Sequence, residues 1–315
     1  MTMSKARIGV IGARGYVGQE LLKILTRHPR VEIAFVVSRS QAGEPALPDR
    51  LDLRYESLEP EEIAARDAAA VVLALPNEQS RPVVAAIDEA RSPAIVLDLS
   101  TDHRLDEAWV YGLPELFRDQ LTGARRIANP GCYATAAALL VRPIASRLAA
   151  PAAAFGVSGY SGAGTTPSPR NDPEKLRDNI MPYQLMGHAH EREVTRHAGP
   201  VHLSPHVAAF FRGLSVTAQL SFNEPLSSTA LKEIYAEAYR GEPLVRVEDE
   251  IPLLRDTVGK PHAALGGFVA HEGQRRGVAV AALDNLLKGA ASQAAQNLNL
   301  ALGFPEREGL EPWPS

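Results

Sequence analysis

Ala6-Arg7-Ile8-Gly9-Val10-Ile11-Gly12-Ala13-Arg14-Gly15-Tyr16-Val17-Gly18 is the stretch that decides the fold. Ala6–Ile11 is a short apolar run and reads as a buried strand. Glycines at 12, 15 and 18 then form a G-x-x-G-x-x-G turn. Val17–His28 follows as a helix, with Leu21, Leu22, Ile24 and Leu25 apolar. Glycine lets a backbone come close to a pyrophosphate, and a helix N-terminus favours its charge. Strand, glycine turn and helix in this order therefore predict a nucleotide site, with Gly12, Arg14, Gly15, Tyr16, Val17 and Gly18 as candidate contacts. The alternative is a plain glycine-rich turn between a strand and a helix.

Outward from this stretch, strands and helices alternate. Val31–Val37, Ala70–Leu75, Ala94–Leu99 and Ile127-Ala128 read as strands, and Gln79–Ala90 and Tyr133–Ala149 as helices. Apolar strands separated by helices imply a parallel sheet covered on both faces. Pro76 ends its strand and is a further candidate cofactor contact. Sites for NAD place Asp or Glu at the end of the second strand to take the ribose 2′-hydroxyl. This chain has Ser38-Arg39-Ser40 there, and hydroxyl plus guanidinium suits a 2′-phosphate, so NADP is the expected cofactor.

The second half differs. Leu214, Val216, Ala218, Leu220 and Phe222 alternate with polar residues, which is a strand with one buried face. Phe268–His271 and Gly277–Leu283 read as an antiparallel hairpin through Glu272-Gly273-Gln274. Lys288–Leu302 reads as one long helix, whose Asn and Gln residues suggest packing near a ligand or on the first domain. The tail Phe304–Ser315, with its prolines, reads as a surface strap. The expected class is α/β: a Rossmann-type doubly wound parallel sheet plus an α+β domain with a mixed or antiparallel sheet.

The chain has 315 residues, enough for two cores. Its net charge of −4 gives no reason to expect a nucleic-acid partner. No apolar run is long enough to span a membrane. Met1 to Lys5 leaves no room for a signal peptide, so a cytoplasmic protein is expected. The single cysteine excludes an internal disulfide.

That cysteine stands in Asn129-Pro130-Gly131-Cys132-Tyr133-Ala134-Thr135, at the start of a predicted helix. A helix N-terminus carries about half a positive charge, which favours the thiolate over the thiol. Cys132 is thus a candidate nucleophile, against the alternative of an inert buried cysteine. Ser158-Gly159-Tyr160-Ser161-Gly162-Ala163-Gly164 leaves a strand and offers N–H groups and hydroxyls to a phosphate or an oxyanion. His188-Ala189-His190-Glu191-Arg192-Glu193 offers a general acid/base beside carboxylates. A metal site with His202 and His206 is the weaker reading, since the spacing matches no zinc pattern, and no metal is expected.

Taken together and in order, the Gly12–Gly18 turn, the block around Cys132, Ser158–Gly164, His188-x-His190-x-x-Glu193 and Asp284-Asn285-Leu286-Leu287-Lys288-Gly289-Ala290 resemble the N-acetyl-gamma-glutamyl-phosphate reductase family. The resemblance implies an NADP-binding Rossmann domain over 1–131, to which the C-terminal helix 286–315 returns, and a catalytic and dimerisation domain over 132–285. It implies Cys132 as nucleophile, His188 as acid/base and Glu193 as its orienting partner. Arg104 would steer the anionic substrate, with Asn129, Ser158 and His190 also on the substrate side, and Ser161, Gly162 and Asn285 on the cofactor side. Many members have Arg between the histidines and Thr-Pro before the glutamate. Here Ala189 and Glu191-Arg192 stand there, so the choice between His188 and His190 stays open.

The implied reaction is NADPH-dependent reduction of N-acetyl-L-glutamyl 5-phosphate to the semialdehyde through a cysteine thioacyl enzyme. A small acyl phosphate would be the substrate and a homo-oligomer, dimer or tetramer, the assembly. Other readings are the aminoadipyl analogue, another semialdehyde dehydrogenase, a thiol acyltransferase or hydrolase, and a non-enzymatic NADP-binding regulator.

Overall fold

The computed structural model describes residues 5–310. It divides into two compact units, one running to Pro130 and resuming at Ala290, the other Gly131–Gly289.

The first unit holds strands β1 (Ala6–Ile11), β2 (Val31–Val37), β3 (Pro45–Leu47), β4 (Arg50–Glu56), β5 (Ala70–Leu73), β6 (Ile95–Asp98), β7 (Val110–Tyr111) and β8 (Arg126–Ala128). They form one sheet in the order β3-β4-β2-β1-β5-β6-β8-β7. Every pairing is parallel except β3 with β4, so an antiparallel edge closes a Rossmann-like sheet. Helices α1 (Tyr16–Arg27), α2 (Pro60–Ala64), α3 (Arg81–Glu89) and α4 (Pro114–Leu121) connect the strands. One face of the core joins Phe35, Val37, Leu73, Val84, Ile87 and Val96.

The second unit begins with α5 (Cys132–Val141). Every residue of α5 after Cys132 is buried, as befits a helix apolar all round. The helix predicted to reach Ala149 stops at Val141, where a 3-10 turn Arg142–Arg147 takes over. Pro143 has no N–H for the Leu139 carbonyl. The Tyr239 hydroxyl donates to that carbonyl instead, at 2.6 Å, and the Tyr235 hydroxyl donates to the Leu140 carbonyl.

The second sheet comprises β9 (Ala152–Gly159), β10 (Ile180–Pro182), β11 (Val201–Ala208), β12 (Leu214–Ser221), β13 (Val245–Val247), β14 (Ala263–His271) and β15 (Arg276–Leu283). Its order is β10-β11-β9-β12-β15-β14-β13, and it is mixed: β9 runs parallel to β11 but antiparallel to β12. The predicted hairpin is present, yet β14 starts five residues earlier than its alternation suggests. A bulge between Gly266 and Val269 breaks the period there. Among the helices of this unit, α6 (Pro173–Leu176), α7 (Ala189–His197), α8 (Ser228–Ala238) and α9 (Leu254–Thr257), α8 packs on β14, while α5 packs on β12 and β15.

The long helix predicted over Lys288–Leu302 is in two parts. Leu287–Ala291 is a π turn, and α10 (Ser292–Ala301) follows. Buried amides on α10 lock it into the first unit. Asn297 Nδ2 donates to Gly112 O at 2.8 Å and to Asn129 Oδ1 at 3.0 Å, and Asn299 Oδ1 lies 3.0 Å from His28 Nε2. From Leu302 to Leu310 the chain is not helical. Asn299 Nδ2 donates to Glu306 O and Glu308 O, Arg30 lies over Phe304, and Leu310 is fully buried. The predicted strap is thus pinned as far as Leu310; positions 311–315 lie outside the described residues.

Candidate active site

In the first unit the glycine turn is close-packed. Gly12 has φ +80°, and a Cβ on it would fall 2.5 Å from the Ala74 carbonyl oxygen. A Cβ on Gly18 would fall 2.5 Å from Ala13 Cα. Gly15 is the N-cap of α1, no side chain caps it, and no acid occupies the first turn. This is a cradle open to a dinucleotide pyrophosphate at an uncapped helix end. Tyr16 and Val17 open that helix, and Arg14 is exposed beside it.

At the end of β2, Ser38 is buried and Arg39 reaches Glu59 Oε2 at 2.7 Å, both of these side chains exposed. No acid stands at the ribose position of β2, so the donor set fits NADP. Pro76 lies in the exposed loop after β5.

That loop is shaped by residues the motifs did not single out. Asp102 accepts the Glu78 N–H at 2.7 Å and both the N–H and hydroxyl of Ser80. Burial alone raises the Asp102 carboxyl, but these hydrogen bonds outweigh it and hold it below the usual carboxylate range. Asp98 accepts from the Ser100 hydroxyl and N–H and lies 2.7 Å from His103 Nδ1, whose ring stacks on Trp109. Arg104 is buried and donates to Leu99 O at 2.7 Å. Asn129 is buried, and its Nδ2 reaches Pro130 O and Ala290 O.

In the second unit, Cys132 is the first residue of α5 behind N-cap Gly131, and it is partly exposed. It opens on a small cleft whose walls include Ser158, Gly162, Arg170, Tyr183 and His190. Glu193 is 2 % exposed; its Oε2 accepts the Gly131 N–H at 3.1 Å and its Oε1 lies 3.9 Å from His190 Nε2. The His190 ring also lies against the Gly131 backbone. His188, the histidine expected to act, is the N-cap of α7, and its Nδ1 accepts the His190 N–H at 3.1 Å. The two rings meet edge to face, with centroids 4.7 Å apart, and His190 is the one in the cleft wall.

Asn285, expected near the cofactor, donates to Ser161 Oγ at 2.9 Å and accepts the Gly213 N–H at 2.7 Å. It thereby ties the glycine-rich block to the strand that follows Gly213. Asp284 is fully buried, pairs with Arg212 at 2.7 Å and accepts the N–H groups of Gly259, Leu286 and Leu287. The π turn beyond it brings Gly289 against Cys132: a Cβ there would fall 2.7 Å from Cys132 Cβ.

Arg170 and Tyr183 lie in no recognisable motif, and the only signal in the sequence is their place between the glycine-rich block and the histidines. Burial, and then the neighbouring Cys132, push the Tyr183 hydroxyl above its ordinary range, so it stays a protonated donor. Among the described residues no three His, Cys, Asp or Glu side chains come together as a metal site, and no helix is long and apolar enough to cross a membrane.

Both units match known protein families. The family model for the semialdehyde dehydrogenase NAD binding domain matches residues 7–124, and that for the semialdehyde dehydrogenase dimerisation domain matches 132–285. The chain is 50 % identical over 311 residues to N-acetyl-gamma-glutamyl-phosphate reductase of Xanthomonas campestris pv. campestris (strain B100), covering 97 % of this chain and 98 % of that one. It is 47 % identical over 320 residues to the protein of the same name from Xylella fastidiosa (strain M23), covering 100 % and 98 %. Among solved structures, aspartate semialdehyde dehydrogenase II of Vibrio cholerae, complexed with ASA, superposes with a TM-score of 0.77 at 17 % identity, covering 95 % of this chain and 99 % of that one. The Candida albicans aspartate semialdehyde dehydrogenase with NADP gives 0.73 at 16 % identity, covering 95 % and 99 %. At such identity these two structures speak for the fold alone.

Proposed function

The chain belongs to the N-acetyl-gamma-glutamyl-phosphate reductase family of semialdehyde dehydrogenases, and on that premise we propose how its catalytic unit works. The reaction is NADPH-dependent reduction of N-acetyl-L-glutamyl 5-phosphate to N-acetyl-L-glutamate 5-semialdehyde and phosphate, in arginine biosynthesis. The observation that carries the mechanism is Cys132 on the first turn of α5, in a cleft it shares with His190.

The Cys132 thiolate attacks the acyl carbon. A C–S bond forms, the C–O bond to phosphate breaks, and phosphate departs with a proton from the His190 imidazolium. We assign that role to His190 because it lines the cleft and faces Glu193, whereas His188 Nδ1 is engaged as a helix cap. Glu193 holds the imidazolium and, through the Gly131 N–H, the start of α5. The chemistry that NADPH supplies when bound is a hydride for the thioacyl carbonyl carbon. Backbone N–H groups of the first turn of α5 and the Tyr183 hydroxyl are the donors available to the alkoxide that results. Collapse breaks the C–S bond, frees the aldehyde and restores the thiolate, which leaves readily because it is stable near neutral pH.

We further propose a cytoplasmic homo-oligomer, dimer or tetramer. The support is the dimerisation-domain match together with the face of the second sheet where Phe155 is 48 % exposed beside the His206 ring. The test of the catalytic reading runs the reaction backwards, with purified protein, N-acetyl-L-glutamate 5-semialdehyde, NADP and phosphate. NADPH should appear only when phosphate is present and position 132 is Cys. Turnover of the longer aminoadipyl aldehyde in its place would overturn the substrate assignment.

A further inference from the structure

Among the described residues that line the Cys132 cleft, Arg170 is the one arginine or lysine. It lies on no long element, only in a 3-10 turn, Pro169–Asn171. That turn is nevertheless held on both sides. Asn171 Nδ2 donates to Gly164 O at 2.9 Å and Thr166 O at 2.8 Å, while its Oδ1 accepts the Ser168 N–H at 2.8 Å. Asp172 then accepts the Glu174 N–H to cap α6, and the fully buried Leu176 anchors the far end. The Arg170 guanidinium lies over the Tyr183 ring, 4.8 Å from its centroid, and no carboxylate pairs with it among the described residues. A restrained loop thus holds a cation in the wall of the nucleophile's cleft with no acid to neutralise it. Tyr183 holds the guanidinium through its ring and its hydroxyl without neutralising it, and a guanidinium's five donors suit a two-pronged contact with a planar anion.

The substrate of the reaction proposed above carries two anionic groups. Its acyl phosphate must reach Cys132, where the start of α5 and the glycine-rich block supply donors. Its α-carboxylate is planar and lies at the other end of the chain. We propose that Arg170 binds this α-carboxylate and selects N-acyl amino-acid substrates over analogues that lack it. The proposal rests on the reading of Cys132 as the acylated nucleophile.

The test compares wild-type enzyme with Arg170→Gln and Arg170→Lys in the reverse reaction, using two aldehydes. One is N-acetyl-L-glutamate 5-semialdehyde; the other, 4-acetamidobutanal, is the same molecule without the carboxylate. Arg170→Gln should lower kcat/KM for the first by about 10- to 150-fold, the range for a hydrogen bond to a charged group, mainly through KM. It should change the second less than twofold and leave KM for phosphate as it was. Arg170→Lys should recover part of the loss, since it restores charge without the fork. Equal slowing of both aldehydes would mean a structural role and overturn the proposal. So would a raised KM for phosphate with aldehyde discrimination intact, or no change at all. If wild-type enzyme turns over neither aldehyde, the reading of Cys132 fails and this assignment falls with it, an outcome distinct from the others because no variant is needed to see it.

Discussion

Gly289→Ala tests how closely the nucleophile is held. A Cβ at this position would stand 2.7 Å from Cys132 Cβ and 3.2 Å from Cys132 Cα. The two residues would have to part by about 1 Å to reach ordinary van der Waals separation. Gly289 is not among the residues with left-handed backbone, so alanine is conformationally admissible and the effect is steric. A misplacement of about 1 Å at a reacting atom costs about 100-fold in rate. Overpacking should add about 1–3 kcal/mol of destabilisation. The assay is NADPH-coupled turnover, set beside the rate at which iodoacetamide alkylates Cys132 and a thermal melt. The expected result is kcat about 100-fold down, altered alkylation and a modestly lower Tm. A folded G289A enzyme with kcat within about twofold of wild type would refute the reasoning that this glycine sets the position of the sulfur.

Three other outcomes follow from the geometry. Glu193→Gln removes the charge that faces His190 and weakens the hold on Gly131; kcat should fall about 10- to 150-fold, with a changed pH–rate profile and unchanged NADPH affinity. Tyr239→Phe leaves the Leu139 carbonyl without the hydroxyl that replaces the missing Pro143 N–H, and chemical denaturation should show a loss of about 1–3 kcal/mol. His262 titrates at about 4 in the folded protein, through burial first and then the charges of Arg246, Lys260 and Lys288. The unfolded chain takes up this proton near pH 6.5 and the folded one only near 4, so stability should fall as pH drops through that window, by about 2 kcal/mol after allowance for screening; His262→Gln should flatten the decline in a pH series of melts.

Much of the fold is visible in local pattern. β1, the glycine turn and α1 are adjacent in sequence, and each is specified by its own residues: an unbroken apolar run, glycines, then leucines at helical spacing. The alternation in β12 likewise needs no knowledge of its neighbours. Two element ends depend instead on distant partners. α5 stops at Val141 because Pro143 cannot continue it, and tyrosines about a hundred residues away satisfy the freed carbonyls. The π turn at Leu287–Ala291 arises where Gly289 N–H bonds back to Asp284 O, in a stretch whose composition suits an ordinary helix.

The site divides in the same way. Cys132 at a helix start, with a glycine-rich block and a histidine pair to follow, is legible as chemistry. Which histidine lines the cleft is not, because spacing alone cannot say that His188 spends its Nδ1 on the His190 N–H. Arg170 was invisible for a related reason. Its position is set by Asn171 and Ser168 bonding within an irregular loop, which has no period to read. The family resemblance implies Asn285 as a cofactor contact, whereas its bonds to Ser161 and Gly213 join residues far apart in sequence.

The central claim is a covalent thioacyl enzyme on Cys132, and intact-protein mass spectrometry with peptide mapping tests it most directly. Enzyme given N-acetyl-L-glutamyl 5-phosphate without NADPH should release one phosphate and gain one N-acetylglutamyl group on Cys132, which later addition of NADPH should discharge as the semialdehyde. Full turnover by wild-type enzyme with no such adduct, or an adduct that persists in Cys132→Ser at another residue with activity retained, would contradict the account.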